Sequence, residues 1–218
     1  MKHIPMLFST PMSAALQKGS KTQTRRIINP QPVIDEDSGY VYVQNHKHML
    51  DIHNWHAELL EFEEYGLPQD VIWVRENCWV HNTWQKGVND HLIVPGSNVF
   101  YDTDNLNTLN KEHYMRRSSM LMAKPLCRKF LEIEAISIQQ LHDINDEDAI
   151  AEGILYNNDM LMYNYLLKMY CNISPIDSYK TLWQSINGKD SWNLNPWVYK
   201  ITFKPVNKPA NFLLKTNN

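Results

Sequence analysis

The apolar positions of the chain fall in short segments, separated by Gly, Pro, Asn and Asp residues that favour turns. Alternation of apolar and polar residues, together with β-branched and aromatic content, predicts strands. These strands are expected at residues 4–8, 22–28, 40–43, 71–80, 92–101, 128–141 and 197–206. Capping residues, glycine stops and three- or four-residue apolar spacing predict helices at residues 11–18, 55–65, 145–153 and 174–188.

The order of these elements indicates the fold class. Short helices lie between the strands without a regular strand-helix-strand alternation, which predicts an α+β fold whose sheet curls toward a small barrel. A length of 218 residues fits a single domain. Residues 29–67 differ in character from their surroundings, with two prolines and a histidine-rich stretch, and we expect them to be an elaboration of that domain.

Composition and charge exclude several classes of protein. With 43% hydrophobic and 21% charged residues, the chain is neither disordered nor collagenous nor a coiled coil. A net charge of −3 argues against a high-affinity duplex DNA binder but allows a local basic patch. Three widely spaced cysteines and no apolar run near the roughly 20 residues of a membrane span predict a cytoplasmic protein without a membrane partner.

The densest cluster of chemically active residues lies between positions 18 and 26. Four cations and three hydroxyl groups occur in these nine residues, and they could hold a phosphate, a carboxylate or a nucleobase edge. The alternative is a solvated basic strand end. Within the cluster, Thr24 could serve as a nucleophile if a neutral Lys21 accepted its proton. Their spacing requires an irregular turn at Lys21, which Gly19 could supply.

Residue pattern alone does not select the acidic partner of this cluster. Several carboxylates in predicted elements are candidates, namely Glu76, Glu132, Glu134, Asp148 and Glu152.

Histidines 46, 48, 53 and 56 have the close spacing of a metal cluster but lack nearby cysteines or paired acids. We therefore expect neither a metal nor another cofactor.

Five segments of the chain resemble the ASCH domain of the PUA-like superfamily, especially the longer forms carried by bacterial prophages. They occur in the family's order and are LFSTPM at 7–12, GSKTQTRR at 19–26, DVIWVRE at 70–76, DEDAIAEG at 146–153 and NPWVY at 195–199. The resemblance implies a small, incomplete β-barrel with helices at its rim. It also implies one domain over residues 1–218, with insertions at about 29–67 and 102–123.

The same resemblance implies a site and a reaction. In the compact amidohydrolases of this superfamily, a lysine, a threonine and a later glutamate act on N(4)-acetylcytidine, and they match Lys21, Thr24 and Glu152. We therefore expect a metal-independent hydrolase of an amide on a modified nucleoside. Alternatives are an RNA or modified-base binding module, or a ribonuclease acting on single-stranded RNA. The expected substrate or nucleic-acid contacts are Thr22, Arg25, Arg26, Arg75, Arg116, Arg117, Lys124 and Arg128.

Overall fold

The computed structural model describes residues 1–43, 50–60, 65–81 and 99–213. Its β-strands are β1 (His3–Leu7), β2 (Gln23–Ile27), β3 (Val33–Asp35), β4 (Tyr40–Tyr42), β5 (Leu50–Asp51), β6 (Val71–Arg75), β7 (Cys78–His81), β8 (Phe100–Tyr101), β9 (Tyr114–Arg117), β10 (Phe130–Gln140), β11 (Met162–Asn164), β12 (Met169–Cys171) and β13 (Trp197–Val206). Its α-helices are α1 (Thr10–Lys18), α2 (Trp55–Leu60), α3 (Asp146–Ala151) and α4 (Pro175–Asn187).

Most of the expected elements are confirmed, because their signals are local. Helix α3 begins after Asn145, whose side chain accepts from the backbone N–H of Asp148, and helix α4 begins after the capping residue Ser174. The segment expected as one strand at 71–80 is two strands, β6 and β7. Glu76 lies between them, and its backbone N–H donates to Met122 Sδ at 3.1 Å.

Some expectations fall partly or wholly outside the described residues. Residues 61–64 of the helix expected at 55–65 and residues 92–98 of the strand expected at 92–101 are among them. The sequence did not predict β9, the hairpin of β11 and β12, or the short strands β3 and β5. These strands have few residues each, so their alternation is too brief to detect.

The described chain divides into two compact units. Unit 1 comprises Met1–Gln17, Gln69–Glu132 and Lys204–Asn218, and unit 2 comprises Lys18–Pro68 and Ile133–Phe203. The expectation of a single domain with two insertions stays a prediction. None of the described helices is long and apolar enough to cross a membrane.

Unit 1 contains two groups of paired strands. Strand β1 is parallel to β6, with His3 opposite Val71, and β6 is antiparallel to the start of β10, with Trp73 opposite Phe130. Strands β8, β7 and β9 form a separate sheet in that order. The core of the unit lies beneath them and includes Trp73, Cys78, Tyr101, Leu126, Phe130 and Phe212.

Unit 2 holds β2 antiparallel to β13, with Arg25 opposite Lys200. Among the described residues of the segment expected as an insertion at 29–67, β3, β4 and β5 form a separate sheet. Strand β11 pairs with β12 as a hairpin. The α+β class is therefore confirmed. No strand pairing described within either unit closes a barrel.

Candidate active site

Lys21 lies in the short link between α1 and β2. Helix α1 ends at Lys18, and Gly19 follows with φ of +75°, a backbone conformation that side chains with a Cβ rarely adopt. The chain then turns so that Lys21 forms an isolated antiparallel bridge with Glu152. Only 4% of Lys21 is exposed, so its amino group is removed from bulk water.

Glu152 reaches the same position from the end of α3. The helix ends at Ala151, and Glu152 follows as its C-terminal cap, with its backbone N–H donating to Asp148 O at 2.9 Å. Gly153 comes next with φ of +80° and turns the chain away. The backbone of Thr22 donates to Ala151 O at 2.9 Å, which attaches the start of β2 to this helix end.

Lys21 and Glu152 form a buried ion pair. Lys21 Nζ lies 2.9 Å from Glu152 Oε2 and also donates to the backbone carbonyl oxygen of Glu152 at 2.7 Å. Their side chains are 2% and 4% exposed. A carboxylate and an ammonium group this close and this little exposed attract each other strongly, because little water screens their charges.

Arg25 connects this pair to Asp148. Its Nη1 donates to Glu152 Oε1 at 3.1 Å and its Nη2 to Asp148 Oδ2 at 2.5 Å, while the side chain is fully buried. Lys200 on β13 donates to both carboxylate oxygens of Asp148, at 2.7 and 2.8 Å. Gln23 donates to the backbone oxygen of Asp148 at 2.6 Å. One face of β2 is thereby fixed to helix α3.

The electrostatics of the cluster make the Lys21 amine easier to deprotonate than a lysine in water. Burial lowers the pKa of the Lys21 amine below its ordinary value, and the positive charges of Arg26 and Arg25 act in the same direction. The carboxylate of Glu152 opposes the shift without cancelling it. For Asp148, burial alone would raise the pKa of the carboxyl, but Lys200, Arg25 and Gln23 together lower it.

Tyr179 adds a buried phenol to this environment. It lies on α4, is 3% exposed, and has its pKa raised well above the ordinary value, first by burial and then by the negative charge of Glu152. The neutral phenol therefore persists across the physiological pH range. It is a potential hydrogen-bond donor close to the charged cluster.

Thr24 stands apart from the Lys21–Glu152 pair. It is buried on β2, and strand alternation places it on the face opposite to Gln23 and Arg25. Within the part of the chain that the structure describes, Lys21 Nζ donates to oxygens of Glu152 and to no hydroxyl group. Thr22 is exposed and contributes its backbone groups.

Several cations expected at the same site belong to unit 1. Arg75 donates to Met120 O, and Arg116 and Arg128 form ion pairs with acids of that unit. Lys124 Nζ lies 4.7 Å from the ring centroid of Phe212, and Arg117 is a half-buried residue of β9. The residues that belong to unit 2 are Lys21, Thr22, Thr24, Arg25, Arg26 and Glu152.

Three residues of the cluster were missed by sequence reasoning. Gln23 lies two residues before Arg25 on β2, so strand alternation could have placed both side chains on one face. Lys200 and Tyr179 carry no local signal, because their contacts depend on how β13 and α4 pack.

The sequence predicted that the protein binds no metal. Across residues 1–43, 50–60, 65–81 and 99–213, no three or more His, Cys, Asp or Glu side chains are grouped to hold an ion. His46 and His48 lie outside the described residues, and the expectation of no metal stays a prediction.

Comparisons with protein-family models, with curated proteins and with solved structures found no match for this chain. A buried lysine of lowered pKa, paired with a carboxylate and flanked by arginines, is the kind of cluster found at acid-base catalytic centres.

Proposed function

We propose that this protein is a metal-independent hydrolase that cleaves an amide on a modified nucleoside of the N(4)-acetylcytidine type. The single observation that supports it most is the buried Lys21–Glu152 pair, with 2.9 Å between Nζ and Oε2 and a lysine of lowered pKa. A neutral buried lysine can act as a general base near neutral pH. The resemblance to ASCH domains adds the substrate class and the PUA-like barrel, both as part of this proposal.

The proposed reaction uses Thr24 as its nucleophile. Neutral Lys21 accepts the hydroxyl proton, the Thr24 oxygen bonds to the acyl carbon, and the bond from that carbon to the exocyclic nitrogen breaks. The proton held by the Lys21–Glu152 pair passes to the departing amine. Water then hydrolyses the ester, which releases the acid and restores Thr24. Thr24 must approach Lys21 when substrate binds, since catalytic hydrogen bonds often form only in the complex.

The test is incubation of the purified protein with N(4)-acetylcytidine and with single-stranded RNA, both in the presence of EDTA, followed by chromatography. We expect cytidine and acetate to form while the RNA stays intact. Cleaved RNA without deacetylation would favour the ribonuclease alternative, and no product from either substrate would contradict the proposal.

Variants of the pair separate catalysis from folding. Lys21→Met and Glu152→Gln keep side-chain volume while removing the proton-transfer groups, and each should reduce the rate by about 10²- to 10⁴-fold. Thr24→Ser keeps a hydroxyl and should retain activity, whereas Thr24→Ala should lose it. Circular dichroism and thermal unfolding identify any variant that fails to fold.

The rate should depend on pH through Lys21. Because the pKa of Lys21 is lowered, the neutral base becomes populated below the ordinary value of about 10.4. The rate of deacetylation should therefore rise as pH increases through that lowered pKa. The residual activity of Lys21→Met should not show this increase of rate with pH. If the variant keeps the same increase, Lys21 is not the base.

The cellular compartment belongs to the same proposal. Cys78, Cys127 and Cys171 are free thiols, and the first two are buried. Free buried thiols fit a reducing compartment, which supports the cytoplasm.

A further inference from the structure

The sheet of β8, β7 and β9 in unit 1 has two chemically different faces. Cys78, Val80 and Tyr101 point to the core, where each is less than a tenth exposed. The residues that alternate with them point the other way. We call this second side the β7 face and define it by Trp79, His81, Phe100, Tyr114 and Arg116.

Four of the five residues of the β7 face are aromatic, and they stand next to one another. Trp79 is directly opposite Phe100 on one side and Arg116 on the other, and His81 is opposite Tyr114. The Tyr114 ring meets the rings of Phe100 and His81 edge-on, with centroids 5.3 and 5.4 Å apart. All four rings are half-buried, so part of each remains accessible to solvent.

Two cations and a further histidine ring adjoin these rings. Asp102 accepts from Trp79 Nε1 at 2.9 Å and from Arg116 Nη2 at 2.5 Å, so one carboxylate orients both the indole and the guanidinium. The Arg116 side chain nevertheless remains 48% exposed. Lys111 Nζ lies 5.9 Å from the Trp79 ring centroid, and the His113 ring stacks on His81 at 6.2 Å.

The charge of the surrounding segment differs in sign from that of the chain. Residues 99–129 contain six Lys or Arg and three Asp or Glu, whereas the whole chain has a net charge of −3. Arg128 and Lys129 are paired with Glu76. The other cations of the segment are Lys111, Arg116, Arg117 and Lys124. Lys111 and Arg116 adjoin the rings of the β7 face, and Arg116 is paired there with Asp102.

We propose that the β7 face binds single-stranded nucleic acid by stacking bases on its rings and by placing phosphates near Lys111 and Arg116. Aromatic rings beside cations on a sheet surface suit this ligand, since every unpaired base offers a flat face and every linkage a negative charge. A duplex fits less well because its bases are already stacked inside. The inference goes beyond the proposed hydrolase activity and does not depend on it.

The test measures binding of a fluorescein-labelled, mixed-sequence single-stranded RNA of about twelve nucleotides, within the site sizes of single-strand binders. Fluorescence anisotropy at several salt concentrations gives the affinity and its salt slope. Matched arms use single-stranded DNA and duplex RNA of the same sequence. Binding of both single strands, or of RNA alone, supports the proposal, and equal binding of the duplex overturns it.

Variants assign the binding to the β7 face. Trp79→Ala should weaken RNA binding by about 5- to 150-fold, the range for loss of one stacked base, while Trp79→Phe should keep most of the affinity. Lys111→Ala should reduce the slope of log affinity against log salt by about 0.7, the value for one phosphate of a single strand. Tyr170→Ala and Lys189→Ala, which change an exposed ring and an exposed cation of unit 2, are the controls and should bind like the original chain.

Besides equal binding of the duplex, two results would overturn the inference. One is an original chain that binds no single strand at low salt, and the other is a set of β7-face variants that bind like the controls. Trp79→Phe and Lys111→Ala retain the packing of the sheet. They can therefore still be measured if Trp79→Ala fails to fold. The assay requires no turnover, and its outcome is therefore separate from that of the deacetylation experiment.

Discussion

At the scale of single residues, Arg25 is bound to acids within the protein. It was expected to contact a substrate or a phosphate, but both of its Nη groups donate to acids of the same chain, Glu152 and Asp148. Its side chain has no exposed surface. Arg25 therefore positions the carboxylate of Glu152.

Replacing Arg25 should test how much this burial matters. Arg25→Ala removes a fully buried cation that pairs with both Glu152 and Asp148, and we expect it to lower the free energy of unfolding by about 3–5 kcal/mol. Arg116→Ala is the matched control, because it breaks an ion pair whose arginine is 48% exposed and should cost only about 0.2–1 kcal/mol. Urea unfolding followed by tryptophan fluorescence measures both values, and equal losses would contradict the argument.

A second buried carboxylate, Glu76, makes the stability of unit 1 depend on pH. Burial alone would raise the pKa of Glu76, but hydrogen bonds from Arg128, Lys129 and Ser13 outweigh it and lower that pKa. Ser13 Oγ donates to Glu76 Oε2 at 2.6 Å, and Lys129 Nζ donates to the same oxygen at 2.8 Å. The stabilisation from these contacts requires an ionised carboxylate.

The expected pH dependence follows from the lowered pKa of Glu76. Its contribution to stability is complete above the ordinary carboxyl value of about 4.3 and is lost as pH falls through the lower folded value. Glu76→Gln should therefore be less stable than the original chain at pH 7, by about 3–5 kcal/mol. This difference should shrink at pH values below about 4, and urea unfolding at both pH values measures it. A difference that stays constant would show that Glu76 ionisation does not contribute.

At the scale of secondary-structure elements, the link between α1 and β2 determines where Lys21 lies. Gly19 has a left-handed backbone there, and Gly39 has a similar one between β3 and β4, with φ of +75° and +72°. A Cβ at either position would meet open space, so a substitution costs backbone strain alone. Substitution of either glycine therefore has the same local cost. Gly19 lies next to the Lys21–Glu152 pair, whereas Gly39 lies in a turn of a separate sheet.

Replacing each glycine by alanine should separate the effect of backbone strain on stability from an effect on the rate of deacetylation. Gly19→Ala and Gly39→Ala should each lower the free energy of unfolding by about 1–2 kcal/mol, the cost of a left-handed backbone for a residue with a Cβ. Only Gly19→Ala should also reduce the rate of deacetylation, because it shifts Lys21 relative to Glu152. Chemical unfolding and the nucleoside assay measure the two effects, and an equal loss of rate in both variants would contradict this reasoning.

At the scale of the whole molecule, the segment expected as an insertion at 29–67 is more than a surface addition. It forms the sheet of β3, β4 and β5, yet Trp55 on α2 is only 3% exposed. The Trp55 ring meets the ring of Trp197 at a right angle, with centroids 4.8 Å apart, and Tyr65 meets Tyr199 at 5.4 Å. The segment therefore covers residues of β13.

Removal of residues 33–66 should accordingly destabilise unit 2. Joining the ends by a short linker costs little entropy, but the deletion uncovers the rings of Trp197 and Tyr199. We expect a lower melting temperature, and Trp55→Ala alone should lower the free energy of unfolding by about 3–5 kcal/mol. Leu194→Ala, which changes a side chain that is 77% exposed, is the control. A shortened protein with the same melting temperature as the original chain would contradict the packing argument.

The amino-acid sequence by itself determined the elements whose signals are local. Asn145 and Ser174 start helices because their side chains accept from backbone N–H groups three residues ahead, and Gly188 ends α4 because it tolerates a positive φ. Such contacts join neighbours in the chain, so they can be predicted without a fold. The α+β class and the irregular turn at Gly19 follow from signals of the same kind.

Only the tertiary structure decided which charged groups meet. Lys21 and Glu152 are separated by 131 positions, and five carboxylates were equal candidates until a resemblance selected one. The structure also places Thr24 on the strand face opposite to Arg25 and uses Arg25 internally, neither of which the spacing revealed. Partner choice between distant charges depends on burial, because a charge removed from water requires a partner wherever the fold supplies one.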